Sequence, residues 1–201
     1  KVAEVAGRNM KKAILELGGS DPFIVLPDAD IEKAARVGIG SRFLNAGQSC
    51  IAAKRFIVAN SISEEFTSKF AEFTKELKVG DPMDADTDLG PLVRRQQIES
   101  LSEQVNEALS RGARAILEGG SLKRKGFFYS PVILIGVTKD MRVLKEETFG
   151  PVAAILTVKD EAEAITAANS TEFGLGASIW SEEEEKALAL AAELESGVVA
   201  I

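Results

Sequence analysis

The chain has 201 residues, 45% hydrophobic and 27% charged, enough for one domain with a sizeable core, and its 24 Lys and Arg against 31 Asp and Glu leave a net charge of −7. That balance argues against nucleic acid or an anionic membrane surface as partner, because both reward a concentrated basic face. One cysteine excludes an intramolecular disulfide, the apolar runs are too short to span a bilayer, and KVAEVAGRNMKK lacks the apolar stretch of a signal peptide, so a soluble cytoplasmic protein is expected.

In chain order, residues 1–12 read as a helix and AILEL at 13–17 as a short strand stopped by Gly18 and Gly19. FIVL at 23–26 has the continuous apolar character of a buried strand. Asp28 and Asp30 stand where helix caps belong, ahead of the helical pattern IEKAARVGIGSRFLN. After a loop through Gly47 come a strand at 55–59 and an amphipathic helix over 63–78. GDPMDADTDLGP at 80–91 is a loop by its glycines, prolines and aspartates. A helix to about Arg111, a strand at ARAIL and GGSLKRKG as a turn-rich hairpin or loop follow. Strands are predicted at 131–137 and 152–158, then a helix at 160–169, a strand at ASIWS, a helix at 182–196 and a closing VVAI. This alternation predicts an α/β fold with a mostly parallel sheet. There is no internal repeat. The chain starts inside an apparent helix and stops on an apolar run, so a piece of a longer protein is expected.

The cysteine lies in FLNAGQSC, residues 43–50. A lone intracellular cysteine is most often a small buried hydrophobe. A nucleophilic one needs positive charge or a base beside it, and this chain has no histidine. Gly47 lets the backbone bend, and Gln48 and Ser49 disfavour an apolar pocket. Lys54 and Arg55 follow closely enough to lend positive potential, or else point to solvent.

Glu16, in LELGG, falls on an apparent interior strand just before a glycine turn, where sites gather in α/β sheets. A carboxylate there is costly unless paired or functional, and the plain alternative is a strand-edge glutamate satisfied by Lys11 or Lys12. In EETFGPV, 146–152, the adjacent carboxylates point different ways, so at most one faces a cleft; a helix terminus leading into the next strand is the plain alternative. SEEEEK at 181–186 reads as a helix start with Ser181 as N-cap. The glycines of GIG (38–40) and GLG (174–176) lack the third glycine of a phosphate loop. No metal site is expected.

LELGG, the cysteine of NAGQSC thirty-four residues after its glutamate, and later EETFGPV together resemble the aldehyde dehydrogenase superfamily. GDP at 80–82, LGPL at 89–92 and EFGLGASIW at 172–180 continue the resemblance in register. It implies that residues 1–201 are the catalytic, nucleophile-bearing domain, a three-layer α/β unit with its mostly parallel sheet flanked by helices. The dinucleotide-binding domain and a C-terminal segment would lie outside the chain, and the isolated piece would have negligible activity. The implied reaction oxidises an aldehyde to a carboxylic acid with NAD or NADP. Cys50 would attack the carbonyl to give a thiohemiacetal and, once hydride has left, a thioester. Glu16 would be the general base that activates water against that thioester, the missing imidazole being replaced by a carboxylate acting through water. Glu147 would hold the nicotinamide ribose hydroxyls, with Phe149 packed near that ring and Glu146 without such a role. The Cys50 backbone N–H would serve as one oxyanion donor; the family's asparagine donor has no match here. A homo-oligomer is implied for the full-length protein.

Within the family, NAGQSCIAAKRFIV looks most like the succinate-semialdehyde dehydrogenase branch. Some members place an arginine just before the asparagine to bind the substrate carboxylate. Here that position is Leu44, and Arg42 lies too far along the helix to replace it. Dehydrogenation of other aliphatic aldehydes is the rival reading, and a non-catalytic binding or structural domain of the same fold is another. A relative that acylates coenzyme A would be expected to lack the glutamate, so Glu16 argues against it.

Overall fold

The alternation of strand and helix gathers seven strands into one sheet in a computed structural model that describes residues 1–201. The chain runs α1 (Val2–Arg8), β1 (Asp21–Val25), α2 (Ile31–Phe43), β2 (Ala53–Ala59), α3 (Ser63–Lys75) and α4 (Arg95–Ser110). It continues with β3 (Arg114–Leu117), β4 (Gly120–Ser121), β5 (Tyr129–Ser130), β6 (Val132–Ile135), α5 (Arg142–Lys145) and β7 (Val152–Val158). The last elements are α6 (Glu161–Ala168), β8 (Gly176–Trp180), α7 (Glu184–Ala191) and β9 (Val198–Ala200). The strand order is β3-β6-β7-β2-β1-β8-β9. Only the edge pair β3 and β6 is antiparallel, while β4 and β5 form the small hairpin read from GGSLKRKG.

Both faces of the central strands are buried, which is why they read as continuous apolar runs rather than alternating ones. Phe23 and Val25 of β1, with Phe56 and Val58 of β2, face α2, α3 and α4. Ile24 and Ile57 face the other way, against α6 and α7. Helices therefore cover both sides, giving three layers. On the first face the rings of Phe23, Phe56, Phe66 and Phe70 stack into a cluster with centroids 4.7–6.2 Å apart, and each fully buried ring contributes about 2–3 kcal/mol. Gly38 lets α2 lie directly on it: a Cβ there would stand 3.0 Å from Phe56 and 3.2 Å from Phe70.

Several expectations need correction. Residues 13–17 are not a strand; no neighbour pairs with them, and Ile14, Leu15, Glu16 and Leu17 are exposed. The sheet begins only at Asp21, so Glu16 is not on an interior strand, and the first helix stops at Arg8. Ser181 is not the N-cap of α7. Glu183 holds that position, and the N–H groups of Glu182 and Glu183 donate across the fold to Asp28, which also accepts from the Ser181 hydroxyl. Asp28 therefore serves α7, whereas Asp30 caps α2 through Lys33 N–H. The helices expected at 63–78 and 182–196 end earlier, at Lys75 and Ala191. The one-turn helix α5 had no sequence signal.

Candidate active site

The loops that carry the candidate residues enter the sheet at the amino-terminal ends of parallel strands. Gly18 and Gly19 lead into β1, Cys50 into β2, Glu147 and Phe149 into β7, and Phe173 into β8. Open α/β sheets usually bind ligands at the opposite, carboxyl edge.

After α2 the chain reverses through three consecutive left-handed residues, Asn45 (φ 51°), Ala46 (φ 54°) and Gly47 (φ 74°). Such a run is costly and persists only where its surroundings enforce it. Arg42 is the main enforcer. Fully buried, it donates through Nη1 to the Ala53 carbonyl (3.0 Å) and through Nη2 to the carbonyls of Gly47 (3.0 Å), Thr148 (3.2 Å) and Gly150 (2.6 Å). This ties the cysteine loop to the Glu147 loop. Burial pulls the Arg42 pKa down to about 9, and Glu147 opposes that fall. Gln48 adds a second brace: its Nε2 donates to the Asn45 carbonyl and its Oε1 accepts from Val93 N–H.

Cys50 sits half-buried in the turn before β2. Its backbone N–H donates to no group, while its carbonyl accepts from Lys54 Nζ at 3.0 Å. Lys54 also donates to the carbonyls of Ser49 (2.8 Å) and Ala52 (3.2 Å), and lies 3.7 Å from Glu147 Oε1 with a side chain 0% exposed. Burial, with Arg42 adding to it, brings the Lys54 pKa down to about 8. Arg55 is equally inward, donating to the carbonyls of Ser20, Ala167 and Ala168. Neither cation points to solvent: adjacent residues of a strand buried on both faces have no route to water.

Glu147 is braced from two sides, by Lys54 and by Gly19 N–H, which donates to its Oε1 at 3.1 Å. Gly19 also packs so closely on the Cys50 carbonyl that a Cβ there would collide with it, and a Cβ on Gly18 would stand 2.7 Å from Glu147 Oε2. The glycine pair thus closes the segment bearing Glu16 onto both Cys50 and Glu147. Glu16 itself lies three residues earlier, exposed, without a bond to either Lys11 or Lys12. Phe149 is half-buried, its carbonyl accepting from Gln97 Nε2 at 2.6 Å. Glu146 turns the other way, to Arg142 Nε at 2.7 Å and Gln104 Nε2 at 2.9 Å, and the Arg142 bond holds its carboxyl below the usual range.

Glu147 fits the role of holding a ribose diol. Its side chain is 23% exposed, Oε2 carries no hydrogen bond, and the glycine beside it leaves the carboxylate unscreened by any side chain at that position. Beside Ile51 a cleft of about 350 Å³ opens between Pro22, Leu175 and Val198, with Asp21 in its wall.

Sequence reasoning missed the bracing by Arg42 and Lys54. The signal for Arg42 was its spacing: Ala35, Gly38, Ile39 and Arg42 share the buried stripe of α2, so that cation had to be satisfied internally. For Lys54 it was a charge directly before RFIVA, an apolar strand run with no alternating polar face, which the structure extends back to Ala53.

The model of the aldehyde dehydrogenase family matches residues 1–201. A succinate semialdehyde dehydrogenase [NAD(P)+] of Escherichia coli (strain K12) is 46% identical over 196 residues, which cover 98% of this chain and 42% of that protein. A succinate-semialdehyde dehydrogenase [NADP(+)] of Mycobacterium avium (strain 104) is 45% identical over 200 residues, covering 100% of this chain and 42% of that protein. Among solved structures, an E. coli NADP-dependent enzyme superposes with a TM-score of 0.96 at 38% identity, across 100% of this chain and 42% of that one. The chain thus spans well under half the length of these relatives, and across all of its residues it belongs to the aldehyde dehydrogenase family.

Proposed function

We propose that residues 1–201 form the nucleophile-bearing domain of an NAD- or NADP-dependent aldehyde dehydrogenase that oxidises succinate semialdehyde to succinate. The observation that carries this reading is the Gly18–Gly19 closure, which sets the Glu16 segment against the Cys50 carbonyl and against Glu147. In this reading Cys50 Sγ bonds the aldehyde carbon, and the carbonyl oxygen, gaining the electron pair, is received by the free Cys50 N–H. A nicotinamide bound there would supply one thing, a hydride acceptor, so that the oxygen's pair re-forms the carbonyl as the C–H bond gives up its hydride and a thioester is left on Cys50. Glu147 would hold its ribose hydroxyls, and Phe149 would pack near its ring. Glu16 then takes a proton from water, the hydroxide adds to the thioester carbon, and Cys50 leaves as thiolate with the carboxylic acid released. The exposed Ile14, Leu15 and Leu17 suit a segment that packs against a separate cofactor-binding domain, where Glu16 would reach its working position. The full-length enzyme in this account is a cytoplasmic homo-oligomer.

The succinate-semialdehyde dehydrogenases among its relatives favour that substrate. One observation favours neutral aliphatic aldehydes instead: Arg42 is spent on four backbone carbonyls and cannot face a substrate carboxylate, and Leu44 stands before Asn45. Steady-state kinetics of the intact enzyme separate the two. A kcat/KM for succinate semialdehyde at least tenfold above that for a neutral aldehyde of equal length supports the first reading; equal values transfer the assignment to the second.

A further inference from the structure

Three acceptors converge on one buried ammonium: the carbonyls of Ser49, Cys50 and Ala52, at 2.8, 3.0 and 3.2 Å from Lys54 Nζ. An ammonium has three N–H donors, so all are used, and the Glu147 carboxylate at 3.7 Å is met by charge alone. The bond to Ser49 has the largest chemical consequence. Ser49 C=O and Cys50 N–H belong to one planar peptide, the chain has no cis peptide bond, and in a trans peptide these two groups point in opposite directions. The Ser49 oxygen, which also accepts from Ala52 N–H at 3.3 Å, is drawn onto Lys54 at 2.8 Å, and this turns the Cys50 N–H away from the ammonium, where it has no partner. A carbonyl bonded to a cation also polarises its own amide, which makes the N–H a stronger donor.

We propose that Lys54 is a positioning residue that orients and polarises the Ser49–Cys50 peptide so that the Cys50 N–H is set to receive an oxyanion. The proposal rests on Cys50 being the nucleophile. In the step it serves, the thiolate sulfur forms a bond to a carbonyl carbon, the π pair of that carbonyl moves to oxygen, and the Cys50 N–H donates to the oxygen. Lys54 moves no proton.

Two thiol reagents applied to the intact enzyme test this without cofactor. Iodoacetamide alkylates a thiolate at a saturated carbon and forms no oxyanion, whereas p-nitrophenyl acetate acylates it through one. Losing an oxyanion donor costs about 10²–10³ in rate, so Lys54→Met, which leaves the N–H present but unset, is expected to slow acylation about 10- to 100-fold and alkylation less than about threefold. Lys54→Gln, with a neutral donor, is expected to fall between, and it carries the test if circular dichroism shows that Lys54→Met does not fold. Equal slowing with both reagents in a folded variant is the signature of a merely structural lysine and overturns the proposal, as does no slowing with either. If wild-type Cys50 reacts with neither reagent, the nucleophile assignment falls and this proposal falls with it. Reaction with both at an unchanged ratio in the variants removes Lys54 alone.

Discussion

Replacing Gly47 by alanine tests how the cysteine loop is held. Gly47 lies at φ 74°, and an added Cβ would run into the Gly150 carbonyl oxygen and stand 2.5 Å from Arg42 Nη2. The left-handed backbone alone costs an alanine about 1–2 kcal/mol. Relieving the collision must displace the Gly150 oxygen from Arg42, and a buried hydrogen bond to a charged group contributes about 1.5–3 kcal/mol. Gly47→Ala should therefore lose about 2.5–5 kcal/mol. Gly136 is the matched control: its φ is 67°, and the nearest atom to its Cβ position is 3.8 Å away. Gly136→Ala should lose only the backbone part, about 1–2 kcal/mol. Urea unfolding followed by circular dichroism reads both values, and the rate of Cys50 alkylation should change in Gly47→Ala but not in Gly136→Ala. Two variants within about 0.5 kcal/mol of each other, a difference within ordinary surface effects, would refute the claim that Arg42 and Gly150 clamp the loop.

Burial pushes the Asp21 carboxyl up to about 6, against the opposing pull of Gly176 N–H, Lys54 and Arg55. Because the folded value lies above the unfolded one, its favourable contribution is complete below about pH 4 and is lost as pH rises through 6. Asp21→Asn should consequently gain about 1–3 kcal/mol relative to wild type between pH 4 and pH 7, and a difference independent of pH in urea titrations would contradict this. Asp28 behaves in the opposite sense: desolvation raises it, but the bonds from the Ser181 hydroxyl and from the N–H groups of Glu183 and Glu182 hold it below the usual range. Asp28→Ala should cost about 1–2 kcal/mol at neutral pH as a lost helix cap, with the deficit shrinking in acid as the wild-type carboxylate is protonated. A deficit that persists unchanged at pH 2.5 would mean that the carboxylate charge is not what caps α7.

Much of the architecture was legible because the central strands are buried on both faces and the helices carry buried stripes, patterns that one sequence displays locally. Residues 13–17 show the limit of that logic. Ile14, Leu15 and Leu17 have strand-forming composition, but a strand exists only where a neighbour accepts its hydrogen bonds, and here none does. Asp28 could be read as a cap but not as the cap of α7, which is reached across 153 residues by the bond from Ser181. Among the candidate residues, the types of Cys50, Glu16, Glu147 and Phe149 were visible as motifs, and the divergence of Glu146 from Glu147 followed from their adjacency. The carbonyl cages of Arg42 and Lys54 were not visible, since backbone acceptors have no letter in a sequence.

In the proposed cycle Cys50 carries the acyl group and Glu16 releases it. Mass spectrometry of the intact enzyme in its Glu16→Gln form, mixed with succinate semialdehyde and oxidised nicotinamide cofactor, tests it most directly. A succinyl adduct should accumulate on the peptide that contains Cys50, in step with one equivalent of reduced cofactor, with no adduct in Glu16→Gln combined with Cys50→Ser. Sustained turnover in Cys50→Ser, or reduction of the cofactor with Cys50 unmodified throughout, would contradict it.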